Sequence, residues 1–298
     1  MTTTPLRGTV GTWPLTVLMA CHNRRESTLR ALDSLQAQKG LPRGVSIGVH
    51  LVDAGSSDGT ADAVRATFPG TDVVTVGPDV YWGTGMAIAA QRAPADSHVL
   101  WLNDDVELHP HAVATLLRTA DPLRHPVVVV GATRSRVAPR TTYSGYRMTR
   151  TGGLRPPSAV RLEPDADGPR SCDTGNGNIV LVTAAARRVL GDIDRVFPHR
   201  LGDLDYGLRA RRAGIPVLLA AGYLGVCDQN PARAPGTSAE PGIGPGLALR
   251  RLASVREQPP GPWWHYCRRH LGIWAPLIFC SPYVRALSRS LIRSPRRA

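Results

Sequence analysis

The sequence predicts an α/β fold: a mostly parallel, twisted sheet flanked by helices, with a basic C-terminal extension. Three observations carry this. Short apolar runs recur at 15–20, 45–52, 73–76 and 99–102. Segments with helical spacing separate them. The first, second and last of these runs end in clusters of Asp, Asn, Gly, Ser or charged residues. Runs of this kind are the pattern of strands buried on both faces. A βαβαβ alternation with short connections demands crossovers and hence parallel pairing.

The elements follow in order. Residues 1–13 form a polar lead-in. The first strand, 15–20, ends at Cys21, His22, Asn23, Arg24 and Arg25. A helix follows, with Leu29, Leu32 and Leu35 spaced for one buried face. The second strand, 45–52, ends in a Gly- and Asp-rich turn, Asp53 to Thr60, which opens a helix over 61–68. A short strand at 73–76, a helix at 83–93 and a strand at 99–102 complete the first half. The last of these strands ends in Asn103, Asp104 and Asp105, and a helix over 111–119 and a strand at 127–130 follow. Residues 132–173 are rich in Arg, Thr, Gly and Pro, with little periodicity. They read as a long excursion with one hairpin, and excursions of that length usually serve function or lack order. A strand at 178–182 and a helix at 183–190 resume the pattern. The next helix is capped by Asp203 and closed by Gly214, and 217–221 is the last strand. Residues 231–262 read as a Pro- and Gly-rich linker, and 263–298 as a basic, aromatic C-terminal segment. In that segment Pro276 and Pro282 interrupt any long helix.

Composition bounds the function. A chain of 298 residues suits one large domain, or one domain with appendages. The net charge is +13, and Lys39 is the only lysine. Such an excess favours anionic partners. The C-terminal segment mixes Trp263, Trp264, Trp274, Phe279 and Tyr283 with seven arginines and no acid. That mixture suits peripheral contact with anionic lipid. Aromatic and basic residues are interleaved mainly there, which argues against a nucleic-acid partner. Five cysteines without CxxC spacing fit neither a disulfide framework nor a zinc site, and suit a reducing cytoplasm. There is no apolar signal core at the N-terminus and no run of the length of about 20 residues needed to span a bilayer.

The chemistry gathers at strand ends, where open α/β sheets bind ligands. Asn103, Asp104 and Asp105 place carboxylates side by side. They call for a cation, and a hard divalent ion carrying a diphosphate is the natural candidate. Asp53 can accept the ring N–H of a uracil or thymine, or it can brace an Asx turn. Asp58, followed by Gly59, reads as a turn and helix cap. Cys21 reads as a packed residue, with no base beside it. Asp203 and Asp205 lie two apart on one helix and point in different directions. One suits the cleft while the other caps or pairs with an arginine. A carboxylate at a helix N-terminus stays ionised, as a general base must. The loop Gly175, Asn176, Gly177, Asn178 has glycines that permit close backbone approach to a ligand.

Four stretches, ACHNRR at 20–25, LVDAGSSDGT at 51–60, WLNDDVEL at 101–108 and GDLDYGLRARRAG at 202–214, resemble family 2 glycosyltransferases of the GT-A fold in order and spacing. The resemblance covers roughly 14–228. YWGTGM at 81–86, GNGN at 175–178 and RRHLGIWAPLIFCSPYV at 268–284 resemble a bacterial, rhamnosyltransferase-like subgroup. The resemblance implies a GT-A catalytic domain over 1–230, with a nucleotide-sugar half at 14–131 and an acceptor half at 132–230. It implies an inverting hexosyl- or deoxyhexosyltransferase that uses a nucleoside-diphosphate sugar, a hydroxyl acceptor and Mn2+ or Mg2+. The acceptor would be a polysaccharide, a lipid-linked sugar or a secondary metabolite. The setting would be the cytoplasm, or the inner face of the cell membrane.

The resemblance also implies residue roles. Asp203 is the base. Ala20, His22, Asn23, Asp53, Trp82, Gly83, Asn103 and Asp104 bind the nucleotide sugar. Asn176, Asn178 and Asp205 meet the donor or acceptor sugar. Asp105 binds the metal, with Asp228 beside it. Three positions depart from the family pattern. Asn103 replaces a first Asp, Gly202 replaces an acid before the base, and Cys227 with Asp228 stands where a metal-binding His is common. These departures keep open a non-catalytic nucleotide-sugar-binding protein.

Overall fold

Strand β1 (Trp13–Cys21) is the axis of the molecule. In the computed structural model, which describes residues 13–120, 125–149, 156–229 and 235–293, every other element is placed by reference to it. The lead-in before Trp13, the start of the expected linker, Arg296 and Arg297 lie outside the described residues. After β1 come α1 (Arg25–Gln36), β2 (Val45–Asp53), α2 (Thr60–Thr67), β3 (Thr71–Thr75), α3 (Trp82–Arg92), β4 (His98–Leu102), β5 (Glu107–Leu108) and α4 (Ala112–Ala120). Next are β6 (Val128–Arg134), β7 (Thr141–Tyr143), β8 (Gly145–Met148), β9 (Ala159–Arg161), β10 (Arg170–Cys172), β11 (Thr174–Gly175) and β12 (Ile179–Val182). The chain continues through α5 (Ala184–Leu190), α6 (Gly202–Arg212), β13 (Val217–Val226), α7 (Pro245–Leu252), α8 (Pro260–His270) and α9 (Ala275–Arg293).

The main sheet runs β10-β13-β6-β12-β4-β1-β2-β3, with β5 on β13 and β7 on β6. Its first four strands in sequence are mutually parallel wherever they pair. Strand β12 then enters antiparallel between β4 and β6, a reversal that the apolar run 178–182 does not reveal. The strand order puts β1 between β2 and β4, so the chain leaves β1 for one side and returns on the other. That reversal point, at the carboxyl ends of β1 and β4, is where such sheets bind ligands.

Both faces of the sheet are covered, as the continuous apolar runs require. Leu15, Val17 and Met19 of β1 pack with Ala31, Leu32 and Leu35 of α1 and Val113 and Leu116 of α4. Leu18, one pleat over, packs with Met86 and Ala89 of α3 and Tyr206 and Ala210 of α6. This is the period-two alternation of a strand serving two cores.

Three expectations are corrected. Residues 132–173 are not a loose excursion. Their described part holds β7, β8, β9 and β10, and β11, β8 and β9 form a second sheet. These strands are two to four residues long, too short to show a period. Residues 235–262 are not a plain linker, because α7 lies within them and packs on α9. Pro282 does not end α9. A proline inside a helix leaves the carbonyl four residues back without its N–H. Here the Ser281 hydroxyl donates to the Ile278 carbonyl at 3.0 Å and takes up that role. Pro276, in the first turn, has no helical N–H to lose.

The C-terminal helices do not stand apart. Trp263, Tyr266, Cys267, Leu271 and Ala275 form a third core with Phe197 and Leu208. Among the described residues no helix is long and apolar enough to cross a membrane.

Candidate active site

The site is built from the ends of β1, β2 and β4. The β1 end is held to the β2 end by the loops themselves. Asn23 takes a left-handed backbone (φ 51°), which asparagine tolerates better than most residues. Its N–H donates to the Ser56 hydroxyl at 2.9 Å, and its side-chain carbonyl accepts the Ser57 N–H at 2.7 Å. His22 Nδ1 is 2.7 Å from the Ala54 carbonyl. Ala20 sits under α3, its methyl 2.9 Å from where a side chain at Gly85 would begin.

Asp53 is brought to the strand end but turned inward, with no exposed surface. Its Oδ1 accepts the Ser56 N–H at 2.8 Å, so the turn-bracing role is realised. Its Oδ2 has the Cys21 thiol, a weak donor, at 3.6 Å, so both oxygens are turned to protein groups. Burial and the neighbouring carboxylates push the Cys21 thiol up, so it is a packed residue and no nucleophile. Asp58 braces as expected, accepting the N–H groups of Arg25 and Thr60.

At the end of β4 the carboxylates have found an internal cation. Arg24 Nη1 lies 2.6 Å from Asp105 Oδ2 and 3.4 Å from Asp104 Oδ1. One guanidinium serves two carboxylates. Burial raises Asp104, the arginine pulls it back and Asp105 adds to the rise, leaving it pushed up to about 7. Sequence reading missed Arg24, although it stands inside the first motif. Its partners lie 80 and 81 residues away, and no local pattern reports that.

The metal expectation changes in detail. Asp228 accepts from the Ser135 hydroxyl and from the Arg136 N–H at 3.1 Å, so its Oδ1 is engaged in bracing the β6 end. Cys227 lies 3.4 Å from Asp105; it is fully buried, and burial pushes its thiol up. Among the described residues no three His, Cys, Asp or Glu side chains form a cage. Asp228 is therefore a brace through Oδ1, with its carboxylate still partly exposed. The carboxylate best placed for a cation is that of Asp105, also partly exposed. It fits an oxygen-seeking cation that keeps most of its ligands on a diphosphate, as such ions do in nucleotide sites.

A continuous wall joins this cluster to Asp203. The Trp82 indole N–H donates to Asn103 Oδ1 at 2.8 Å. A side chain at Gly177 would meet the Trp82 ring at 2.6 Å and the Asp203 Cβ at 3.2 Å. The glycine is thus required by protein packing, not by approach to a ligand. Gly83 is likewise required, since a side chain there would strike the Phe197 carbonyl at 2.1 Å.

Asp203 is not the cap of α6. Leu201, with φ 76°, is the cap, and Asp203 lies in the first turn. Its Oδ2 accepts the Gly177 N–H at 2.8 Å and its Oδ1 the Leu204 N–H at 2.8 Å. Desolvation raises its pKa, against these N–H groups that lower it. A general base gains from a pKa raised toward the working pH, provided it stays ionised there. Gly202 has no room for the acid that its family position commonly holds, because a side chain there would meet Ile193 at 2.8 Å.

Asn176 and Asn178 diverge. Asn176 pairs with the Ser144 backbone, beside β8, which carries Tyr146. Asn178 is buried, its amide directed to the Cys227 sulfur at 3.7 Å. It supports the Asp105 side of the wall and has no exposed face for a sugar. Tyr143 packs against the core that contains Cys227. Both tyrosines come from the segment whose order the sequence hid.

Asp205 is the clearest correction to the expected sugar contacts. It is fully buried. Arg209 Nε donates to Oδ2 at 2.8 Å, Arg269 Nη1 to Oδ1 at 2.8 Å, and His270 Nε2 lies 2.8 Å from Oδ1. These partners hold it at about 2, against its burial. It ties α6 to α8 and faces no cleft.

A mostly parallel sheet with carboxylates at its reversal point places this chain among the α/β proteins that bind ligands at strand ends. The chain belongs to glycosyl transferase family 2, whose model matches residues 16–185. No curated protein sequence matches. Among solved structures, the chain is similar in fold to the mannosyltransferase PcManGT from Pyrobaculum calidifontis in complex with GDP-Man and Mn2+. The TM-score is 0.55 at 16% identity, over 95% of this chain and 74% of that one. It is also similar in fold to S. aureus TarS, with a TM-score of 0.56 at 12% identity. That match covers 95% of this chain and 50% of TarS, so the chain spans half of that relative's length. The GT-A type expectation for the fold stands.

Proposed function

We propose that the chain is an inverting glycosyltransferase, moving a hexose or deoxyhexose from a nucleoside-diphosphate sugar to an acceptor hydroxyl. The observation that carries this is the wall Asn103–Trp82–Gly177–Asp203, which joins the Asp104–Asp105 cluster to Asp203 by direct contacts. The PcManGT complex with GDP-Man and Mn2+ supports the donor class and the cation. Asp203 accepts the acceptor's hydroxyl proton as the oxygen bonds to the anomeric carbon and the bond to the diphosphate breaks. Ala20, His22 and Asn23 hold the nucleotide, on a turn that Asp53 braces from below. Asn103, Trp82 and Asn176 line the sugar. Mn2+ or Mg2+, held by Asp105 and the diphosphate, would supply charge stabilisation to the leaving group. The five free cysteines support a reducing, cytoplasmic setting.

A second reading of the leaving-group step comes from the 2.6 Å pair between Arg24 and Asp105. In it the guanidinium supplies the positive charge. A hydrolysis screen of the purified chain against a panel of nucleotide sugars, with and without chelator, tests both. Release of free diphosphonucleoside from one donor is the expected result, abolished by chelator and not rescued by metal in Asp105→Ala. Turnover that survives chelation but is lost in Arg24→Ala selects the second reading. Donor binding without turnover of any donor or acceptor would leave a non-catalytic binding protein.

A further inference from the structure

The C-terminal helices carry a surface that the proposed reaction does not use. Ile273 lies in a 3-10 turn (Gly272–Trp274) that leads directly into α9. Ile273, Leu277, Val284 and Leu287 are 89%, 60%, 57% and 36% exposed, and Cys280 is exposed between them. Their spacing of four, three, four and three residues puts all five on one stripe. At about 1.5 Å per residue the stripe is on the order of 20 Å long. The opposite side of α9, at Ala275, Phe279, Tyr283 and Ala286, is the side turned to the core. Single exposed leucines are ordinary, whereas a contiguous apolar stripe marks an interaction surface.

Charge identifies what covers it. Arg285 and Arg289 are exposed on the same helix, across its outer face from the stripe at 3.6 residues per turn. Beyond Glu257 the sequence has seven arginines and no acidic residue. A second copy of the same stripe would bring two such cationic helices together, and nothing on them would compensate. An anionic lipid surface satisfies both halves, with the apolar stripe below the headgroups and the arginines among them. An open groove of about 510 Å³ beside the stripe, lined by Pro157, Trp263, Leu277, Pro282 and Arg285, continues the same mixed surface.

We propose that α9 docks the protein on anionic membrane through the stripe Ile273, Leu277, Cys280, Val284 and Leu287 and the exposed Arg285 and Arg289 of the same helix. The docked helix is not on a tether. It packs with α8, and α8 is locked to α6 through Asp205, Arg269 and His270, two residues from Asp203. Docking therefore fixes the position of the cleft relative to the bilayer, as a lipid-linked acceptor would require. Only that last step rests on the proposed reaction; the lipid binding does not.

The test is co-sedimentation of the full chain with phosphatidylcholine vesicles, with and without phosphatidylglycerol. Binding to the anionic vesicles at low salt, release as salt rises, and no binding to phosphatidylcholine alone is the expected result. Arg285→Glu with Arg289→Glu should weaken binding on the order of 25-fold or more, about fivefold for each arginine. Leu277→Ser with Val284→Ser should also release the protein. Both variants should keep the unfolding midpoint and lipid-free donor hydrolysis of the parent, which reads the proposed reaction separately. Failure of the parent to bind anionic vesicles at low salt overturns the proposal whatever the variants do. So does equal binding by folded variants, or a dimer in solution that Leu277→Ser dissociates.

Discussion

Two buried acidic sites in this chain are neutralised to opposite degrees. At the end of β4, Asp104 and Asp105 share the single guanidinium of Arg24. Between α6 and α8, the single carboxylate of Asp205 is met by Arg209, Arg269 and His270. Burial acts on both in the same direction, yet Asp104 is pushed up to about 7 and Asp205 is held down at about 2. Asp104 has only a share of one guanidinium to set against its burial, whereas Asp205 has three hydrogen-bonding partners. A site short of positive charge can take more of it, from a cation or from a proton. A saturated site can only hold. Asp203, two residues before Asp205 on the same helix, belongs with the first kind: it has two backbone N–H donors, and its pKa is raised. In the proposed reaction the helix carries one carboxylate for chemistry and one for attachment, as their different directions on the helix allow.

The sharpest way to break this contrast is to remove each charge with the shape kept. Asp203→Asn should lower turnover by on the order of 10²–10⁴, the usual cost of losing a general base. Its unfolding midpoint should stay near that of the parent. Asp205→Asn should do the reverse. It leaves Arg209, Arg269 and a histidine facing a neutral amide, and one-sided loss from a buried pair costs about 3–5 kcal/mol. Urea unfolding followed by circular dichroism reads that loss. If Asp205→Asn cut turnover while leaving stability alone, the two roles would have been assigned to the wrong aspartates.

The same contrast explains what the sequence discloses. β1, β2, β4, β12 and β13 each announce themselves as apolar runs, and their carboxyl ends mark the site residues His22, Asn23, Asn103 and Asp105. A buried strand needs only its own composition to be recognised. The clamp on Asp205 cannot be read this way, because Arg269 and His270 lie 64 and 65 residues further along the chain. Arg24 was visible as a residue but not as a partner, for the same reason. Tyr143 and Tyr146 were hidden by strands too short to show a period. The family match ends at 185, before α6, so Asp203 stands on its contacts with Gly177 and on the spacing of the last motif alone. Gly202, a departure from the family pattern by sequence, is explained by packing against Ile193.

The smallest expected effect is the acid response of Asp205, and it sharpens the contrast in sign. Its folded pKa of about 2 lies below the ordinary value of 3.8. The folded state therefore binds fewer protons there than the unfolded state does. Stability from this carboxylate is complete above the unfolded value and is lost as pH falls from 3.8 through about 2. A shift of this size corresponds to about 2 kcal/mol. Parent and Asp205→Asn unfolding curves should therefore converge by about that amount between neutral pH and the acid end of this window. Asp203 should show the opposite direction in activity rather than stability. Its raised pKa places the acid limb of the transfer rate above the usual aspartate range, since the base must be ionised to work. A stability gap between parent and Asp205→Asn that stayed constant down to the pH of acid unfolding would mean that the clamp holds by shape rather than by charge, and the contrast between the two sites would fall with it.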